Sequence, residues 1–61
     1  MASIYEKMRE IKTYLADRYR EVEELRIRQH AEEDRIGAII NRNRAQLIAE
    51  IYRCIFNEEI A

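Results

Sequence analysis

Few residues in this chain have types and spacings that could do chemistry. There is one histidine, His30, and one cysteine, Cys54. A general base needs a positioned partner and a pocket. His30 lies between Gln29 and Ala31, next to the acids Glu32, Glu33 and Asp34, and reads as an exposed residue of a turn or helix end. The acidic run lacks the spacing and the loop glycine of a calcium loop, so it reads as helix-dipole and solubility charge. Glu23 and Glu24 lack the Glu-x-x-His partner that di-metal bundles use. Cys54 borders an apolar stripe, which predicts a small buried thiol. No Gly-rich phosphate loop and no Ser/His/Asp set occurs. The expectation is a protein that is not an enzyme, with no catalytic residue, metal ligand or cofactor.

The arginines are more informative. Arg18 and Arg44 each interrupt an apolar helical stripe. Buried unpaired charge costs several kcal/mol per ion. Three answers are available. A nearby carboxylate (Asp17, Glu21 or Glu50) or snorkelling stems could satisfy them. They could form a polar core layer that sets register and oligomeric state. Or they could hold an anion such as a nucleic-acid phosphate. A second basic feature is the stripe Arg35, Arg42 and Arg53, with four arginines against one acid from Arg35 to Arg53. It could contact nucleic acid or an acidic protein. The acids Glu32, Glu33, Asp34, Glu58 and Glu59 flank it, which favours a solvated face.

Two helical patterns must position these residues. Ser3-Ile4-Tyr5-Glu6 has the form of a capping box. From there Ile4, Met8, Ile11, Leu15, Val22 and Leu25 recur at spacings of four and three, with Arg18 filling one place. This predicts a helix over residues 3–28. Ile36, Ile39, Ile40, Leu47, Ile48, Ile51, Ile55 and Phe56 form a wider stripe, predicting a second helix over residues 31–57. Gly37 weakens that helix by up to about 1 kcal/mol relative to Ala. A fresh capping box at Asn43-Arg44-Ala45-Gln46 could split it.

Between the patterns lies Arg28–Arg35. Arg26, Arg28 and His30 close the first pattern; Glu32, Glu33 and Asp34 open the second. Cations suit helix C-termini and anions suit N-termini, so a turn is expected near residues 29–34. Against it stands the lack of Gly, Pro, Ser or Asn from Arg26 to Arg35. The alternative is one long coiled-coil helix. A turn centred on Ala31 would set Arg18 level with Arg44 in one cationic layer.

The chain has 61 residues, enough for one domain, here a single helical hairpin over residues 1–61. A core of that size is marginal. One cysteine allows no internal disulfide, so association with another chain is the expected support. The composition is 48% hydrophobic and 38% charged, too apolar for a disordered tail. The net charge of −1 gives no global basic field. No apolar run approaches a membrane span, and no secretion signal opens the chain. A cytoplasmic protein, or one inside a virus or host cell, is expected, with no membrane partner.

Glu50-Ile51-Tyr52-Arg53-Cys54, with the length and the mid-chain turn, resembles the end of the second helix of Rop-type plasmid regulators. That resemblance implies a hairpin that dimerises into a four-helix bundle. It does not carry RNA binding, because the first helix exposes Glu6, Glu10 and Glu21. Asn43-Arg44-Ala45-Gln46-Leu47-Ile48-Ala49-Glu50-Ile51 is similar to the second helix of ribbon-helix-helix repressors, with Leu25-Arg26-Ile27-Arg28 as their DNA-reading strand.

The sequence therefore predicts an all-α helical hairpin of two long antiparallel helices, pairing with a second copy into a four-helix bundle. The oligomer core would comprise Ile4, Met8, Ile11, Leu15, Val22, Leu25, Ile36, Ile40, Leu47, Ile48, Ile51 and Ile55, with Arg18 and Arg44 as its polar layer. The expected function is a small oligomeric adaptor, regulator or assembly factor with a protein partner. Arg35, Arg42, Arg53 and Phe56 would form its partner surface. The alternative is a nucleic-acid-binding regulator using Arg35, Arg42, Arg44 and Arg53.

Overall fold

Two helices account for nearly all of the computed structural model, which describes residues 3–60. Helix α1 spans Ile4–Ala31 and helix α2 spans Arg35–Phe56. They pack against each other as a helical hairpin. No strand occurs among the described residues. Leu25–Arg28 lies inside α1, so the ribbon-helix-helix resemblance does not hold. The single long helix is likewise replaced by the hairpin, and α2 runs unbroken through Asn43. No helix among the described residues is long and apolar enough to cross a membrane.

The start of α1 follows its sequence. Ser3 is extended (φ −71°, ψ 162°), and its hydroxyl accepts from the Glu6 N–H at 3.1 Å. This satisfies one of the amide donors that every helix start leaves open.

The turn falls in the later half of the expected stretch 29–34, at residues 32–34. Helix α1 continues three residues beyond Arg28, and α2 begins at Arg35 rather than Ala31. Glu33 adopts the left-handed region at φ 62°. Its N–H donates to the His30 carbonyl at 3.1 Å, and the Asp34 N–H donates to the Gln29 carbonyl at 2.8 Å. That pair of bonds is the Schellman arrangement, usually built on glycine. Here a glutamate occupies the glycine position. Asp34 then caps α2, its carboxylate accepting from the Gly37 N–H at 3.0 Å. The cations Arg28 and His30 lie in the last turn of α1 as expected. Of the three acids only Asp34 serves the start of α2; Glu32 and Glu33 belong to the turn.

The interior is thin. Its buried side chains are Val22 from α1 and Asn41, Ala45 and Tyr52 from α2. Met8, Leu15, Ala16, Tyr19, Glu23, Arg26 and Gln29 line the α1 side at intermediate burial. Gly37, Ala38, Ile48, Ala49 and Phe56 do so on α2. The hairpin measures 46 × 19 × 15 Å. Its least dimension is little more than one helix diameter, about 10–12 Å. A slab one helix thick has two open faces and little inside.

Small residues explain which side of α2 turns inward. Gly37, Ala38, Ala45 and Ala49 are small enough to admit close approach of the helices, and Tyr52 and Phe56 fill the seam toward the C-terminal end of α2. The isoleucine stripe expected to form the core is rotated to one side of this contact.

Candidate interaction surface

Most of the residues expected in an oligomer core are exposed in the single hairpin. Ile4 and Ile36 retain 73% and 75% of their surface, and Leu47 retains 57%. Ile11, Leu25, Ile40, Ile51 and Ile55 are also exposed. Met8, Leu15 and Ile48 are half-buried, and Val22 alone is buried.

These side chains share one face. On α1, Ile4, Ile11, Arg18 and Leu25 recur every seven residues, turned to one side of the Met8–Leu15–Val22 contact row. On α2, Ile36, Ile40, Arg44, Leu47, Ile51 and Ile55 are displaced in the same rotational sense from the Asn41–Ala45–Tyr52 row. In antiparallel helices, equal displacements of that kind fall on the same side. The other side is a groove lined by Tyr19, Glu23 and Arg26 of α1 with Arg42, Ala45, Gln46 and Ala49 of α2. The apolar face therefore lies opposite the basic stripe.

Arg18 and Arg44 both sit within the apolar face, but they do not share a layer within the chain. The turn centres on Glu33 rather than Ala31, and Gln29 meets Asn41 across the seam. The residue level with Arg18 is thus at least one turn, roughly 5 Å, beyond Arg44. Arg18 bonds Glu21 at 2.9 Å on the surface. Arg44 takes part in none of the ion pairs among the described residues.

The basic stripe is divided. Arg53 is 3.7 Å from Glu59. Arg35 and Arg42 face Arg26 and His30 across a groove floored by Ala38 and Ile39. Arg26 is already held by Glu23, at 2.7 and 3.2 Å to one carboxylate oxygen. That hydrogen bond and the attraction to Glu23 push the guanidinium pKa further up. On α1 the acids Glu6, Glu10 and Glu21 are exposed, as expected, interspersed with the exposed cations Lys7, Arg9, Arg18, Arg20 and Arg28.

Phe56 is not the free aromatic of a partner patch. Its ring packs on Tyr52 with centroids 5.0 Å apart. The Lys12 ammonium lies 5.5 Å from the Phe56 ring and 5.9 Å from that of Tyr52, and bonds Glu58 at 2.7 Å. The Glu58 hydrogen bond is the main cause of a raised Lys12 pKa, partly opposed by desolvation. Of the Ile55-Phe56 pair, only Ile55 faces outward. Cys54 is exposed, against the expectation of a buried thiol, because the inward side of α2 is the small-residue side. Among the described residues, no cluster of three or more His, Cys, Asp or Glu could hold a metal ion.

Sequence reasoning overlooked Asn41, Ala45 and Tyr52 as the hairpin seam. The signal was present, since positions 41, 45, 49, 52 and 56 follow helical spacing. The larger isoleucines one step around the helix masked it.

No protein-family model, curated protein or solved structure matches the chain.

Proposed function

We propose that this chain is a non-catalytic interaction module that works as an oligomer. Two hairpins pair through their apolar faces into a four-helix bundle, and the charged outer faces meet a protein partner. One observation carries this reading: more large aliphatic side chains lie exposed on one face than lie buried inside. An interior of Val22, Ala45 and Tyr52 is small for a stable fold. The eight exposed aliphatic side chains leave on the order of 800 Å² open, one partner's share of a standard interface. An intracellular setting belongs to the same reading, since an exposed free thiol at Cys54 suits a reducing compartment.

Sedimentation equilibrium together with concentration-dependent melting tests the proposal. A dimer whose melting temperature rises with concentration is the expected result. A well-folded monomer at several hundred micromolar would overturn it.

The groove carrying Arg26, His30, Arg35 and Arg42 supports a second reading, a regulator that binds nucleic-acid phosphates. Salt-dependent binding of RNA or DNA, abolished by Arg35→Glu with Arg42→Glu, would favour it over the first.

A further inference from the structure

The apolar face is not purely apolar, and its charges indicate what covers it. Arg44 lies in the middle of the α2 stripe without a carboxylate partner among the described residues. Glu50 stands at the outer edge of α2, between Leu47 of that stripe and Arg53 of the basic stripe, exposed, and likewise takes part in none of those pairs. Six positions separate Arg44 from Glu50 on one helix, too far for an i,i+4 bond. An unmatched cation within a face and an unmatched anion at its edge are complementary to the same pair on a second copy. Twofold symmetry makes residue i meet residue j while j meets i.

We infer that the apolar face is covered by a second copy running with its loop at the opposite end, so that Arg44 of each copy bonds Glu50 of the other. The inference rests on the oligomer reading and deepens it to a specific pairing. Leu47 lies midway between Arg44 and Glu50 and is exposed. The twofold axis passes beside it. The same axis crosses α1 near Tyr19–Glu23, where Arg18 and Glu21 already bond each other. Docking converts that surface pair into a shared layer with its counterpart. The arginines then act as a register device. An apolar stripe alone tolerates sliding by a turn, whereas a slid dimer would leave Arg44 buried and unanswered.

Two experiments on the full chain test this. Arg44→Glu and Glu50→Arg are each expected to weaken the dimer about tenfold or more, and the double variant to recover most of that loss, because the swapped charges again match across the axis. A double variant as weak as the two losses combined would overturn the pairing. Circular dichroism confirms that each variant remains helical. Leu47→Cys in a Cys54→Ser background is expected to form a covalent dimer on mild oxidation, since a disulfide needs Cα atoms within about 7 Å. A dimer that sediments normally but does not cross-link would overturn the orientation while leaving the oligomer reading standing. A wild-type chain that stays monomeric would overturn both.

Discussion

The Asn41 side-chain amide donates to the Gln29 side-chain oxygen (Oε1) at 2.6 Å, across the seam between the helices and near the turn. Asn41 is 4% exposed, and its own carbonyl oxygen has no partner. Among the described residues this is the one side-chain hydrogen bond between α1 and α2, and it is partly buried, placed where the wider apolar pattern gives no register. It fixes how far α2 slides along α1, as buried polar pairs do in coiled coils.

Gln29→Leu should therefore destabilise the hairpin by about 1–3 kcal/mol, because it leaves the Asn41 amide buried without a partner. Gln29→Leu with Asn41→Leu should recover most of that loss, since neither polar group remains. Urea denaturation at fixed protein concentration measures both. A neutral Gln29→Leu would mean that solvent already reaches Asn41.

Gly37 is expected to resist substitution. Gly37 lies in the first turn of α2, and replacing a helical glycine by alanine normally gains up to about 1 kcal/mol. Here an added Cβ would lie 2.6 Å from the Gln29 amide nitrogen and would collide with the Asp34 carboxylate. Both groups can move, but moving them gives up the α2 cap and the bond to Asn41. A lost cap alone costs about 1 kcal/mol. Gly37→Ala should lower stability, with the backbone amide at position 37 exchanging faster with solvent. A stabilised variant would show that cap and amide pair rearrange freely.

The hairpin was legible in the sequence, and its inner face was not. Periodicity found both helices because Ile, Leu and Val recur at helical spacing in each half. Ser3 marked the start of α1 through a local bond that needs no tertiary context. The turn lies within the expected residues 29–34, but its centre is two residues past Ala31, because its decisive residue, Glu33, is a poor candidate for a left-handed conformation. Hairpin packing imposes that conformation, and local propensity does not report it. The two-residue shift then moved every cross-helix pairing, and the Arg18–Arg44 layer went with it. The seam was missed for a different reason. Hydrophobicity selects the most apolar side of α2, but the side that packs within the chain is the one whose small residues admit close approach. The stripe of large aliphatics was left for a surface outside the chain.

Glu33 supplies the third prediction. A left-handed backbone costs a non-glycine L-residue roughly 1–2 kcal/mol, part of which glycine loses again through the entropy of the unfolded chain. Glu33→Gly should raise stability by about 0.5–1 kcal/mol without altering the bonds to His30 and Gln29. Thermal melting at fixed concentration measures the gain. A loss would mean that the Glu33 side chain contributes more than its backbone strain costs.

Residues 57–60 follow α2 as a C-terminal strap, tied to α1 by Lys12–Glu58, and that tie responds to pH. Lys12 holds Glu58, and the bond raises the Lys12 pKa above its ordinary 10.5. A group whose folded pKa is raised contributes stability that is fully present below the unfolded value and is lost as pH rises through the folded one. The strap is therefore intact with respect to Lys12 at neutral pH and loosens only in alkali above 10.5. Glu58→Gln removes the leading cause of the shift, so the Lys12 ammonium should titrate at lower pH, followed by NMR of its side chain. Both partners are exposed, so the melting temperature should change little. Lys12 titration unchanged by Glu58→Gln would show that the aromatic rings of Tyr52 and Phe56, rather than the carboxylate, hold the ammonium in place.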